Sequence, residues 1–179
     1  YMQQFTSVNT DRMKTAIQVP GADPEAAVSE IKQWGNAPWA AAVWVHLKEG
    51  LPIDDPSLEP IWATINELNL PLVHHSFFFE PPYFPGYKDI WGNTVVARTA
   101  AHPWGAARLF AYVILSGMLD RYPNLRFGTS EVGHGWLPNW LIRLGFNKSY
   151  VSGVTPDLKY TPLEYAQMGR VVCAAEPFE

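Results

Sequence analysis

The sequence holds one cysteine, Cys173, so no internal disulfide can tie it together, which fits a reducing compartment. Positive charge is sparse as well. The 13 Lys and Arg are scattered among 17 Asp and Glu, the formal net charge is -4 and the pI is near 5.7. Such a chain carries no broad electrostatic footprint for phosphates, and nucleic acid is not an expected partner. No apolar run reaches the roughly 18 residues of a membrane helix. The N-terminus shows no basic region followed by an apolar stretch, so neither a membrane span nor a signal peptide is expected. These absences point to a soluble, cytoplasmic protein. No Gly-rich phosphate turn of the dinucleotide or P-loop kind follows an apolar run, which weakens a nucleotide-binding open sheet.

What is present is enough to build one core: 179 residues, 47% hydrophobic and 17% charged, expected as a single domain over 1–179. Eight Trp, eight Tyr and nine Phe suit a core, a pocket wall or an interface equally. "MKTAIQVP" (13–20) alternates apolar and polar residues as a strand does. "DPEAAVSEIKQWG" follows with Asp23 as N-cap, Pro24 at the first helical position and Gly35 at the end. "WAAAVWVHL" (39–47) reads as a strand covered on both faces. "DPSLEPIWATINELN" spaces Leu58, Ile61, Ile65 and Leu68 three or four apart, so a second helix is expected before the short strand "LPLVHH". A long loop rich in proline and aromatics is expected over 76–101, then a helix from His102 that stops before Pro123. "LRFGTSE" is the next strand, "WLPNWLIRLGF" a helix, "TPLE" (161–164) a capping box and "RVVCAA" a closing strand. Strands alternating with helices make a parallel sheet, either doubly wound or closed as a barrel. Spacing alone leaves both open, although five strands starting in mid-repeat look like the middle of an eight-stranded barrel with both ends missing.

The run "PNLRFGTSEVGHGWLPNWLIRL" resembles the stretch around the sixth barrel strand of the amidohydrolase-related family that contains aminocarboxymuconate-semialdehyde and resorcylate-type decarboxylases. "DRMKTAIQVPGADPEAAVSEI", "DDPSLEPIWATINELNLPLVHHS" and "HPWGAARLFAYVILSGMLDRYPNLRF" are similar to its preceding segments, in the same order. The resemblance runs from about Asp11 to Leu144 and weakens afterwards. It implies an α/β fold, a (β/α)8 TIM barrel of the metal-dependent hydrolase type, here incomplete with about five of eight strands. It also implies a divalent metal at the C-terminal strand ends, zinc by preference and manganese as the alternative, a small unsaturated or aromatic carboxylate as substrate, decarboxylation or hydrolysis as the reaction, and a homodimer.

His75 is the residue this resemblance marks as metal ligand: it ends a strand, four residues after Pro71, as the ligand histidine of the family does. Strand alternation sends His74 and His75 to opposite faces, so at most one enters the barrel mouth. The alternative for His75 is a hydrogen-bonded strand-end histidine. His74 is assigned a structural or substrate-binding place. Glu131 ends "LRFGTSE" where decarboxylase relatives often carry a catalytic histidine; a carboxylate in a partly desolvated mouth can exchange protons, or it can cap the next helix. His134, three residues on, is a second catalytic candidate or an exposed turn residue. Arg98 is a candidate fork for a substrate carboxylate or a surface cation. Phe78, with the aromatic cluster from Phe77 to Trp91, walls a substrate or covers a subunit contact. His102 at a helix start and His46 at a strand end are weaker candidates. The family completes its metal site with a His-x-His pair, and this chain contains none. Two readings follow: part of a metal-dependent lyase or hydrolase, or a barrel fragment or degenerate relative acting in binding or assembly.

Overall fold

The computed structural model describes residues 1–48, 50–75, 93–151 and 153–176. Its elements run α1 (Met2–Thr6), β1 (Thr15–Pro20), α2 (Pro24–Trp34), β2 (Ala40–His46), a 3-10 turn (Pro56–Leu58) leading into α3 (Glu59–Glu67), β3 (Pro71–His75), α4 (Thr94–Leu115), α5 (Met118–Arg121), β4 (Arg126–Ser130), α6 (Leu137–Tyr150), α7 (Pro162–Gln167) and β5 (Val171–Cys173). The caps are those the sequence advertises. Asp23 accepts from the Ala26 N–H, and Thr161 with Glu164 closes a full capping box.

Among the described residues five strands pair in parallel, in the order β1-β2-β3-β4-β5. Every crossover therefore leads to the adjacent strand and the winding never reverses. A doubly wound sheet reverses at a switch point, whereas a barrel adds each strand beside the last, so this sheet is the barrel type. Ile17, Val43, Leu72, Phe127 and Val171 stand in one register row, all buried, in a common cluster with Ile31, Leu58, Ile61, Ile65 and Phe110 from the helices. The next row, Gln18, Trp44, Val73, Gly128 and Val172, turns to the opposite face and ranges from buried to exposed. The apolar run of β2 thus hides an alternation toward its end: Val43 and Val45 are buried on the helix side, while Trp44 is half-buried and His46 exposed on the other.

Three expectations are corrected. The stretch read as loop to residue 101 is helical from Thr94, because the Asn93 side chain accepts from the Val95 and Val96 N–H groups and starts α4 there. His102 consequently lies inside α4, not at its start, and Pro103 sits within the helix without an N–H to give the preceding turn. The helix expected to run to Pro123 breaks at Gly117, whose left-handed φ of 75° no continuing helix allows, and α5 restarts one residue later. The short α1 carries no cap signal in the sequence, and its N-cap residue makes no side-chain capping bond.

Candidate active site

The C-terminal ends of β2, β3 and β4 bring the chemistry together. In β3 burial alternates strictly, with Leu72 and His74 buried and Val73 and His75 partly exposed. His75 thus shares the non-helical side with Trp44, and the two rings lie 5.7 Å apart between centroids. Trp44 also stacks on His46 at 4.4 Å, so an imidazole–indole–imidazole series lines this rim. From α4, His102 meets His75 edge-on with centroids 5.6 Å apart.

Glu131 follows β4 directly. His75 pairs with Ser130 across the sheet, which sets Glu131 one residue beyond that register position. Its φ of 58° is left-handed, uncommon for a residue with a β-carbon. The carboxylate Oε2 lies 3.0 Å from His75 Nε2. His134 is half-buried in the same connection, where its carbonyl accepts from the Leu137 N–H at the entry to α6. Two contacts fix this connection: the Trp136 indole N–H donates to the Val132 carbonyl at 2.8 Å, and the Cys173 thiol donates to the Gly133 carbonyl, also at 2.8 Å.

His74 has a different character. It is buried on the helix side, and burial, with the Arg108 cation second, holds its pKa down to about 3. It is therefore a neutral imidazole at neutral pH. Phe78, the rest of the aromatic cluster and the side chain of Arg98 lie outside the described residues. A cavity of about 600 Å³ between α4, α6 and residues 154–156 is walled by Trp104, Arg108, Tyr112 and Trp140, and none of His75, Glu131 or His134 lines it. His75, Glu131 and His134 lie at the strand-end rim, apart from that cavity.

Among the described residues no group of three or more His, Cys, Asp or Glu is placed to hold a metal ion. His75 and Glu131 nevertheless present an imidazole nitrogen and a carboxylate oxygen side by side, a donor pair that fits part of a ligand set for zinc or manganese.

Comparison with known proteins decides the family. An amidohydrolase family model matches residues 2–173. The chain belongs to the amidohydrolase family. Solved amidohydrolase-type folds similar to it include 5-carboxyvanillate decarboxylase from Sphingomonas paucimobilis, with a TM-score of 0.69 and 24% identity over 96% of this chain and 51% of that one. The corresponding enzyme of Novosphingobium aromaticivorans, solved with manganese and 4-hydroxy-3-methoxy-5-nitrobenzoic acid, gives a TM-score of 0.77 at 20% identity over 98% of this chain and 50% of that one. A 2,6-dihydroxybenzoate decarboxylase from Rhizobium gives 0.70 at 21% identity over 96% and 55%. This amidohydrolase thus spans about half the length of these solved relatives and shares their barrel fold. Among proteins of curated function, no significant match is found.

Sequence reasoning passed over Trp44, His46's stacking partner, and over Cys173 as an anchor. Trp44 was findable: it has the same strand parity as His46, two residues before the rim. The grip of Cys173 on the Gly133 carbonyl has no sequence signal, since it joins residues forty positions apart.

Proposed function

We propose that this amidohydrolase works as a metal-dependent carboxy-lyase on a small aromatic or unsaturated carboxylate, with hydrolysis as the less favoured chemistry. The observation that carries the reading is the His75–Glu131 pair at the C-terminal strand ends, where barrel enzymes keep their active sites. The solved relatives described above are decarboxylases of aromatic carboxylates, one of them holding manganese, which supports a divalent metal and favours manganese beside zinc. When bound, the ion acts as a Lewis acid that orients a carboxylate and stabilises developing charge. His75 would hold it. Its ring is fixed by Trp44 on one side and His102 on another, so the nitrogen needs little reorganisation.

The protein's own task in decarboxylation is to deliver a proton to the carbon that loses its carboxyl group. Glu131 and His134, both in the β4–α6 connection, are the groups proposed for that transfer. His74, neutral and buried beneath the rim, would support His75 from behind rather than touch substrate. Phe78 and Arg98 are retained as proposed substrate contacts. Ile142, Phe146 and Tyr150, four apart on α6 and all exposed, form an apolar stripe that supports a homodimer. No helix among the described residues is long and apolar enough to cross a membrane. The lone thiol supports a cytoplasmic setting.

The test is release of CO2 from a panel of ortho-hydroxylated aromatic carboxylates by the intact, manganese-loaded protein. Release that stops with a chelator and returns with the metal supports the reading. Metal-loaded protein that releases none, yet hydrolyses amide or ester analogues, would move the assignment to hydrolysis.

A further inference from the structure

His46, the last residue of β2, takes part in neither the proton transfer nor the metal binding proposed above. Resting on the carboxy-lyase reading and narrowing it to hydroxylated rings, we infer that His46 is a substrate contact: its imidazole reads a ring hydroxyl meta to the substrate carboxylate. Register sets the distance. The Trp44–Val73 pair, continued two residues along both strands, brings His46 level with His75. Strand parity places both side chains on the non-helical face, where each ring lies against that of Trp44. Neighbouring strands run about 4.8 Å apart, so His46 stands one strand spacing to the side of His75. With the carboxylate held at His75, an ortho hydroxyl stays too close to it to cross that gap, and the meta position is the first that does.

The ring of His46 is also held ready. It stacks on the Trp44 indole at 4.4 Å with 27° between the planes. Behind it, the His46 carbonyl accepts from the Gly21 N–H at 2.8 Å, and Gly21 packs so closely that a β-carbon there would stand 3.0 Å from that oxygen. An imidazole pinned by one face on a clamped backbone loses little freedom when it takes a hydrogen bond. It is reachable as well: His46 is exposed, although Val45 before it is buried. An imidazole edge carries hydrogen-bonding nitrogens that suit a hydroxyl as donor or acceptor. Among the described residues no three His, Cys, Asp or Glu converge on one point, so His46 stands outside a shared ligand cluster with His75 and Glu131.

Benzoate and 3-hydroxybenzoate, which differ only in that hydroxyl, are the probes, titrated calorimetrically into the intact, manganese-loaded protein. A hydrogen bond between uncharged partners corresponds to a preference of about three- to tenfold, and a preference for 3-hydroxybenzoate in that range is expected. His46→Phe keeps a ring on Trp44, and should bring the preference below about twofold while benzoate affinity changes by less than about twofold. His46→Ala should lose the preference equally, and His46→Gln, whose amide still hydrogen-bonds, should regain part of it. A purely structural histidine would shift both probes alike or neither. A preference that survives in His46→Phe and His46→Ala, equal loss of both probes, or an unsubstituted protein that binds the two equally overturns the inference and leaves the carboxy-lyase reading intact. Binding of neither probe also overturns it, and that reading then stands or falls on CO2 release alone.

Discussion

Arg170 is the side chain whose removal tests the fold most sharply. It precedes β5, is half-buried, and donates three hydrogen bonds to backbone carbonyls: Nε to Leu125 at 2.7 Å, and Nη2 to Leu119 and to Tyr122 at 2.9 Å each. Two of those carbonyls close the α5 turn and one begins the approach to β4, so one guanidinium ties three connected segments. A hydrogen bond from a charged donor contributes about 1.5–3 kcal/mol. Two of the three share one nitrogen, and the site is partly solvated, so the low end applies to about two full bonds. Arg170→Ala should therefore cost about 3 kcal/mol. For a chain of this size that lowers the thermal midpoint by about 6–12 °C. Arg170→Lys should recover less than half of the loss, because a single ammonium cannot span the fork. Thermal and urea unfolding of the three proteins, with the urea slope checked for constancy, makes the comparison. A drop under about 2 °C for the alanine variant, or full recovery by lysine, would refute the argument.

His74 titrates at about 3 when folded against an ordinary 6.5, so below pH 6.5 the unfolded chain takes up a proton that the folded chain refuses. Stability should be flat above that pH and fall by up to about 1.4 kcal/mol per unit below it, levelling near pH 3. Urea midpoints of metal-free protein from pH 7 to 5, compared with His74→Gln, read this directly; a slope that survives the substitution contradicts it. Gly117→Ala should destabilise by about 1–2 kcal/mol, since φ is 75° and the new β-carbon would meet Pro156 Cγ at 3.3 Å; a neutral effect would show that the α4–α5 break relaxes freely. Tyr165→Phe removes the hydroxyl that donates to Asp120 Oδ1, and should cost about 1–2 kcal/mol in urea unfolding, as among the described residues Asp120 then keeps the Lys159 N–H on its other oxygen.

Much of this architecture is legible in the residues because its signals are local. The strands declare themselves by apolar runs closed by proline or polar residues, and parity alone separates His75 from His74. Asp-Pro and Thr-Pro starts mark α2, α3's entry and α7 because the cap and the fixed proline φ act within one turn. The misread region fails for the same reason. Around Asn93 the cap is followed by two β-branched valines, and Pro103 imitates a helix start, so tertiary packing of α4 overrides the local pattern. Gly117 was legible as a break but was outweighed by the apolar stripe from Trp104 to Met118. The rim is readable only in part: that His74 and His75 part to opposite faces follows from alternation, whereas the approach of His75 to Glu131 depends on β3 and β4 pairing in one particular register and on a strained φ, neither of which a sequence displays.

The account rests on His75 holding a metal at the rim while His74, one residue earlier, does not. Elemental analysis of the intact protein purified without chelators is the most direct check. About one divalent ion per chain is expected, lost in His75→Ala and retained in His74→Ala. Metal that stays with His75→Ala, or an unsubstituted protein that carries none and takes up none on dialysis against manganese or zinc, would contradict it.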